Sequence, residues 1–252
     1  MSSTDAPLPH HPIANTEQAA AGNGPEGANG NRWLAAAWPL VRPHLPPAPG
    51  RVVEIGCGPE GGFVPALVAE GYDAVGIDPE APDGATYRRT TFEEAALDGP
   101  VDAVVACTSL HHVGDLALVL DRVAAAVRTG GTFVVLEWGW DLVDDAVARW
   151  CFERLPPPSE TVHHSWLRRH HDAWAGSGRA WTEYLRDWAT TEGLHPSTEM
   201  LEELDARFTP VLLADMPYFF CELAGTTAAD EQAAIDAGRI RASGLRYVGR
   251  RP

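Results

Sequence analysis

The chain has 252 residues, 45% of them hydrophobic, enough for one domain with a sizeable core. It carries 35 acidic side chains against 19 basic ones, all arginine, for a formal charge of −16. That balance disfavours a nucleic-acid partner, which needs a basic face, and equally an anionic membrane surface.

Residues 1–31 contain no aromatic side chain and are rich in Pro, Gly, Asn and Ala. Such a segment buries too little apolar surface to offset its ordering entropy, so a flexible tail is expected, with a lid that orders over a ligand as the alternative. No positive n-region precedes an apolar stretch and no run of 18 apolar residues occurs. The four cysteines form no CxxC pair. A cytoplasmic protein with reduced thiols and neither a zinc site nor a disulfide framework is therefore expected.

From Arg32 the pattern becomes helical, with Trp33, Leu34, Ala37, Trp38 and Val41 on one stripe until the prolines at 43–49 stop it. Residues 51–55 read as a strand, 63–70 as a helix closed by Gly71, and 73–77 as a second strand stopped by Asp78-Pro79. A weak third strand lies around 86–89 and a stronger one at 101–107. Residues 115–128 form an amphipathic helix ended by Gly130-Gly131, before a strand at 132–136. The stretch 139–207 differs, holding six of the nine tryptophans and five of the ten histidines. It reads as helices at 142–154, 166–175, 180–191 and 198–207. A strand at 209–213, a helix at 228–237 and a strand at 245–249 complete the chain. Alternating strands and helices predict an α/β fold with a mostly parallel sheet that binds ligands beyond the carboxyl ends of its strands.

Gly56-Cys-Gly58-Pro-Glu-Gly61 follows the first strand as a GxGxxG turn, which allows close backbone approach to a ligand. Asp78 ends the second strand 20 residues after Gly58, where an acid can accept from both ribose hydroxyls of an adenosine. Ordinary turn chemistry is the plainer reading of Asp78-Pro79. Together the two features point to a nucleoside ligand, and by themselves they would serve NAD as well.

The run Val52-Val-Glu-Ile-Gly-Cys-Gly58, with Asp78, the loop Thr91-Phe-Glu-Glu94, Val101–His112 and Val127–Leu136, resembles the class I S-adenosylmethionine-dependent methyltransferases. The resemblance covers residues 50–138 well and 208–252 loosely. It implies a Rossmann-like, seven-stranded, mostly parallel sheet whose last strand runs antiparallel. It implies S-adenosylmethionine as cofactor, S-adenosylhomocysteine as product, and contacts at Glu54, Gly56, Cys57, Gly58, Asp78, Pro79, Phe92, Glu93, Thr108 and Ser109. Glu54 with the backbone of Gly56 and Gly58 would hold the methionine part and Asp78 the ribose. Phe92 and Glu93 would flank the adenine, although Phe92 also reads as a core aromatic. The long connection after the fifth strand is expected to be a helical insertion, 139–207, lying over the site of a single domain spanning 32–252.

His111 and His112 end the fourth strand, where the resemblance places the reacting methyl group. Either could take a proton from an acceptor, or only pack and hydrogen-bond. His163-His164 and His170-His171 are not expected to share a zinc, because on one helix seven residues span about 10.5 Å; one of them could instead line the pocket and serve as base, with solvated or capping histidines as the plainer reading. Trp174, Trp181 and Trp188 recur at sevens, a pattern of helix packing more than of a ligand box. The expected protein is a monomer or homodimer that methylates a small molecule of secondary metabolism, on oxygen first and nitrogen second. The alternatives are an NAD-dependent oxidoreductase and a non-catalytic cofactor-binding partner.

Overall fold

The computed structural model describes residues 28–97, 99–157 and 165–252, with side chains from Arg32 onward. Residues 1–27 of the N-terminal segment, and the His163-His164 pair, lie outside those residues. In chain order the elements are α1 (Ala28–Val41), β1 (Arg51–Ile55), α2 (Val64–Ala69), β2 (Asp73–Ile77), β3 (Tyr87–Arg88), β4 (Val101–Cys107), α3 (Leu116–Ala126) and β5 (Val127–Trp138). They continue with α4 (Asp145–Phe152), α5 (Trp166–Ala175), α6 (Trp181–Glu192), α7 (Ser197–Asp205), β6 (Thr209–Met216), α8 (Ala228–Asp236) and β7 (Gly244–Arg250).

The seven strands form one sheet in the order β3-β2-β1-β4-β5-β7-β6. β1 through β5 pair in parallel, and β7 runs antiparallel to both β5 and β6. The chain reverses direction of assembly at β1, placing β2 on one side and β4 on the other. In sheets of this kind such a switch point, at the carboxyl ends of β1 and β4, is where ligands bind.

Because side chains alternate along each strand, the sheet sorts its apolar residues into two cores. On one face Val52, Val105, Val134 and Leu136 meet α1, α2, α8 and the helices α4–α6. On the other Val53, Val104, Phe133 and Val135 meet α3 and α7. Thus α7 covers the sheet beside α3, whereas α4–α6 build an aromatic-rich lobe on the opposite face.

Several boundaries differ from the sequence reading, each for a tertiary reason. β5 is 12 residues long rather than five. Val127 pairs with Val101, so the chain becomes extended directly after α3, while Glu137 and Trp138 pair with Leu245 and Gly244 of β7. β6 likewise runs on to Met216 because β7 supplies partners along its length. α4 starts late, at Asp145, because the Asp144 carboxylate accepts from the Ala146 and Val147 N–H groups and caps the helix there. The tryptophans at 174, 181 and 188 fall on two helices and pack between them. Trp174 meets Trp181 edge-on, and Trp188 meets Trp166 and His170.

Candidate functional site

The turns at the switch point are built mainly from backbone. Gly56 has φ +76°, and a Cβ there would overlap the Ser109 side chain, so the first turn and the turn after β4 touch through a missing side chain. Gly62 has φ +56°, and a Cβ there would overlap the Glu54 carboxylate. These two close approaches draw the glycine turn over Glu54. Cys57, between the glycines, points inward, its sulfur against Gly76 and its thiol pushed up by burial.

Glu54 is 1% exposed. Its Oε2 accepts the Phe63 N–H at 2.8 Å, and its Oε1 has no hydrogen-bond partner. Burial pushes its pKa up to about 8, against the opposing pull of the Phe63 and Val64 amides. A buried carboxylate with an unused oxygen is costly alone and favourable beside a cation. Asp78, at the end of β2, is half-buried; its Oδ2 accepts from the Gly58 N–H at 3.0 Å and its Oδ1 from the Glu80 N–H at 2.7 Å. It therefore ties the glycine turn to the second strand's turn, and each oxygen keeps a lone pair for a further donor. Pro79 beside it is exposed. Phe92 is buried in the α3-side core with Ile77 and Ala106, and Glu93 is half-buried.

The turn after β4 is held in an uncommon shape. Thr108 has φ +49°, a left-handed conformation in a residue other than glycine, and its N–H donates to the Leu136 carbonyl. The Ser109 hydroxyl donates to the Ile55 carbonyl at 3.0 Å, just before Gly56. Glu137, 1% exposed at the end of β5, accepts the Ser109 and Leu110 N–H groups, each at 2.6 Å. Its other oxygen meets His111 Nδ1 at 2.7 Å.

The two adjacent histidines have different positions. His111 is fully buried, and its Nε2 receives the Trp138 indole N–H at 3.0 Å. An indole only donates, so Nε2 is the acceptor and the ring proton sits on Nδ1, facing Glu137. Both His111 nitrogens are thus engaged inside the protein, which leaves neither for a substrate proton in this arrangement. The ring of His112 lies tilted against His111, centroids 4.2 Å apart and planes at 42°, and its Nε2 has no partner. Burial and the neighbouring His111 push the His112 pKa down to about 2. His170, in α5, is also buried, bonded through Nδ1 to the Tyr184 hydroxyl, with its pKa pushed down by burial to about 3.

Glu137 and Trp138 escaped the sequence reading. The available signal was an acid interrupting an apolar strand, Phe133-Val-Val-Leu-Glu-Trp138. Glu231 was missed as well. From α8 it accepts the N–H groups of Tyr218, Phe219 and Phe220, clamping the loop after β6. That loop sets Tyr218 and Phe219 against Trp33, Trp138 and Trp166. An open cleft of about 360 Å³ lies elsewhere, between α1, the end of β6 and α8, lined by Leu40, Met216 and Arg246. It is formed by none of the residues around the glycine turn. Among the described residues no helix is long and apolar enough to cross a membrane.

Comparison with known proteins bears on this geometry. A family model for a methyltransferase domain matches residues 31–191. A ubiquinone biosynthesis O-methyltransferase of Nitrobacter winogradskyi is 27% identical over 141 residues, 45% of this chain and 54% of the relative. The chain therefore spans about half the length of that relative, and 38% of a Bradyrhizobium protein of the same name that is 34% identical over 98 residues. Among solved structures, an S-adenosylmethionine dependent methyltransferase from Mesorhizobium loti superposes with TM-score 0.51 at 23% identity, over 86% of this chain and 98% of that one. A geranyl diphosphate C-methyltransferase from Streptomyces coelicolor A3(2) gives TM-score 0.51 at 16% identity, over 88% and 80%. The structures share the fold, and the family match covers more than half of the chain. The chain belongs to the methyltransferase-domain family and has the Rossmann-like fold of the class I S-adenosylmethionine-dependent enzymes.

Proposed function

We propose that the chain transfers a methyl group from S-adenosylmethionine to a small-molecule acceptor, on oxygen first and nitrogen second, in secondary metabolism. The observation that carries this reading is Glu54. A buried carboxylate with one unused oxygen, roofed by a glycine turn, suits the cationic methionine end of this cofactor. A dinucleotide would instead need a pyrophosphate beside that acid. The O-methyltransferase relatives support oxygen, and the charge of −16 supports an acceptor other than nucleic acid.

When bound, the cofactor supplies an activated methyl group on sulfonium. Glu54 and the backbone of Gly56, Cys57 and Gly58 hold its methionine part, with Thr108 and Ser109 closing from β4. Asp78, beside Pro79, takes the ribose hydroxyls, and the Phe92-Glu93 loop borders the adenine. Orientation then supplies much of the rate. His112 is the residue we place against the acceptor, because its buried Nε2 lacks a partner. At a pKa near 2 it accepts a hydrogen bond from the nucleophile and orients its lone pair, without storing the proton. Within 139–207, α4–α6 would cover the acceptor side, while α7 packs beside α3 on the opposite face of the sheet.

Isothermal titration with S-adenosylmethionine, S-adenosylhomocysteine and NAD tests the cofactor. Binding of both adenosyl compounds and not of NAD is expected; binding of NAD alone would overturn the reading. Transfer of labelled methyl into a panel of hydroxylated and amine metabolites separates an O-methyltransferase from an N-methyltransferase and from a cofactor-binding protein without activity.

A further inference from the structure

We infer that Glu137 is a positioning residue, and that a hydrogen-bonded chain running through it joins the aromatic lobe to the cofactor turn. The inference rests on the cofactor reading above. The chain begins at Trp138, whose ring packs against Trp166, Tyr218 and Phe219. Its indole N–H donates to His111 Nε2, and His111 Nδ1–H donates to Glu137 Oε2. Glu137 Oε1 accepts the Ser109 and Leu110 N–H groups. The Ser109 hydroxyl then donates to the Ile55 carbonyl, and its Cβ occupies the space that the absent side chain of Gly56 leaves.

Each link has one polarity. The indole cannot accept, so His111 cannot carry its proton on Nε2, and Glu137 must accept from three N–H groups. Both residues are shielded from water, so a wrong donor at any link has no solvent to turn to. Thr108, the residue before Ser109, sits at φ +49° and needs its surroundings to hold it there. Glu137 supplies two bonds to the residues that follow. The backbone of His111 is pinned as well, its carbonyl accepting the His195 N–H at the entry to α7. A shift of the aromatic lobe on Trp138 is thereby transmitted to the turn that closes on the cofactor.

The polarity yields a test by isosteric frustration. In Glu137→Gln the amide oxygen can still accept from Ser109 and Leu110, but its NH2 then faces His111 Nδ1. The imidazole must move its proton to Nε2, where it meets the Trp138 N–H. Trp138→Phe removes that second donor, so the two substitutions should offset one another. Trp166→Phe is the control, because it removes an indole N–H that has no partner in the same aromatic cluster.

The probe is S-adenosylhomocysteine, titrated calorimetrically into the full chain. Glu137→Gln should weaken binding about 10-fold, which is about 1.4 kcal/mol. Trp138→Phe should weaken it about 3-fold, Trp166→Phe less than 2-fold, and the double variant should bind no more weakly than Glu137→Gln alone. Multiplicative losses in the double variant, or equal losses from Trp138→Phe and Trp166→Phe, would reduce the chain to packing and overturn the inference. Amide exchange at Ser109 and Leu110 needs no cofactor. It should accelerate at least 10-fold in Glu137→Gln relative to wild type, and unchanged exchange overturns the inference even if the cofactor reading fails. Wild-type protein that binds no S-adenosylhomocysteine, yet shows this acceleration, rejects the cofactor reading and keeps Glu137 as the clamp of the turn. Should Glu137→Gln not fold, the contrast between Trp138→Phe and Trp166→Phe in binding and exchange decides alone.

Discussion

Glu54 and Glu137 make an instructive pair. Both are acids at 1% exposure, near the carboxyl ends of β1 and β5, each interrupting an apolar run (Val52-Val-Glu-Ile55 and Phe133-Val-Val-Leu-Glu-Trp138). Glu137 has every demand met, with two backbone N–H groups on one oxygen and an imidazole on the other. Glu54 keeps one oxygen without a partner. The same desolvation cost is thus offset within the protein in one case and left open in the other. The difference separates an acid bonded wholly within the protein from one with an oxygen to spare, the feature on which the proposed cofactor reading rests. His111 and His112 repeat the lesson, with one ring fully bonded and its neighbour unpartnered at Nε2.

The largest effect is expected where the Gly56 backbone meets the Ser109 side chain. Gly56→Ala would place a Cβ onto Ser109 in a left-handed residue, separating the open acid's turn from the clamped one. A loss of about 3 kcal/mol in stability and at least a 100-fold loss in S-adenosylhomocysteine affinity are expected, by denaturant melts and titration.

Glu231→Ala removes a satisfied acid of the Glu137 kind and strands three buried N–H groups on the loop carrying Tyr218 and Phe219. It should cost about 2–3 kcal/mol in urea melts, with cofactor affinity changed much less than by Gly56→Ala.

Glu54→Gln should do the opposite to stability. The Glu54 pKa in the folded chain, near 8, lies above its ordinary value of 4.5, so the folded state holds more protons between those limits. Stability therefore falls as pH rises through that window and levels off above it. The variant, free of this penalty, should melt roughly 5 °C above wild type at pH 8 and show no difference at pH 4. Its cofactor affinity should fall at least 20-fold. Wild-type affinity should rise from pH 6 to pH 8, as the ionised acid meets a cation. An affinity that is flat over that range would break the contrast between the two acids.

His112→Ala is expected to have the smallest effect, about 10-fold on turnover with cofactor affinity within 2-fold. Because His112 is held neutral, the pH–rate profile should show no limb near 6.5 that the substitution removes.

The sequence by itself determined what short stretches of backbone dictate. The glycine turn after β1, Asp78 at the end of β2 and the strand–helix alternation depend on local conformation and on periods of two and 3.6 residues, all of which can be read along the chain. Tertiary structure decided what depends on partners far apart in sequence. His111 and Glu137 are 26 residues apart, and only their meeting distinguishes the bonding of two adjacent histidines. Phe92 joins the core that also holds Ile77 and Ala106 from β2 and β4, and β5 is long because β7 lies beside its end. The fold was legible because backbone hydrogen bonding obeys local rules. The bonding around the glycine turn was not, because whether a buried polar group is satisfied is known only once its neighbours are in place.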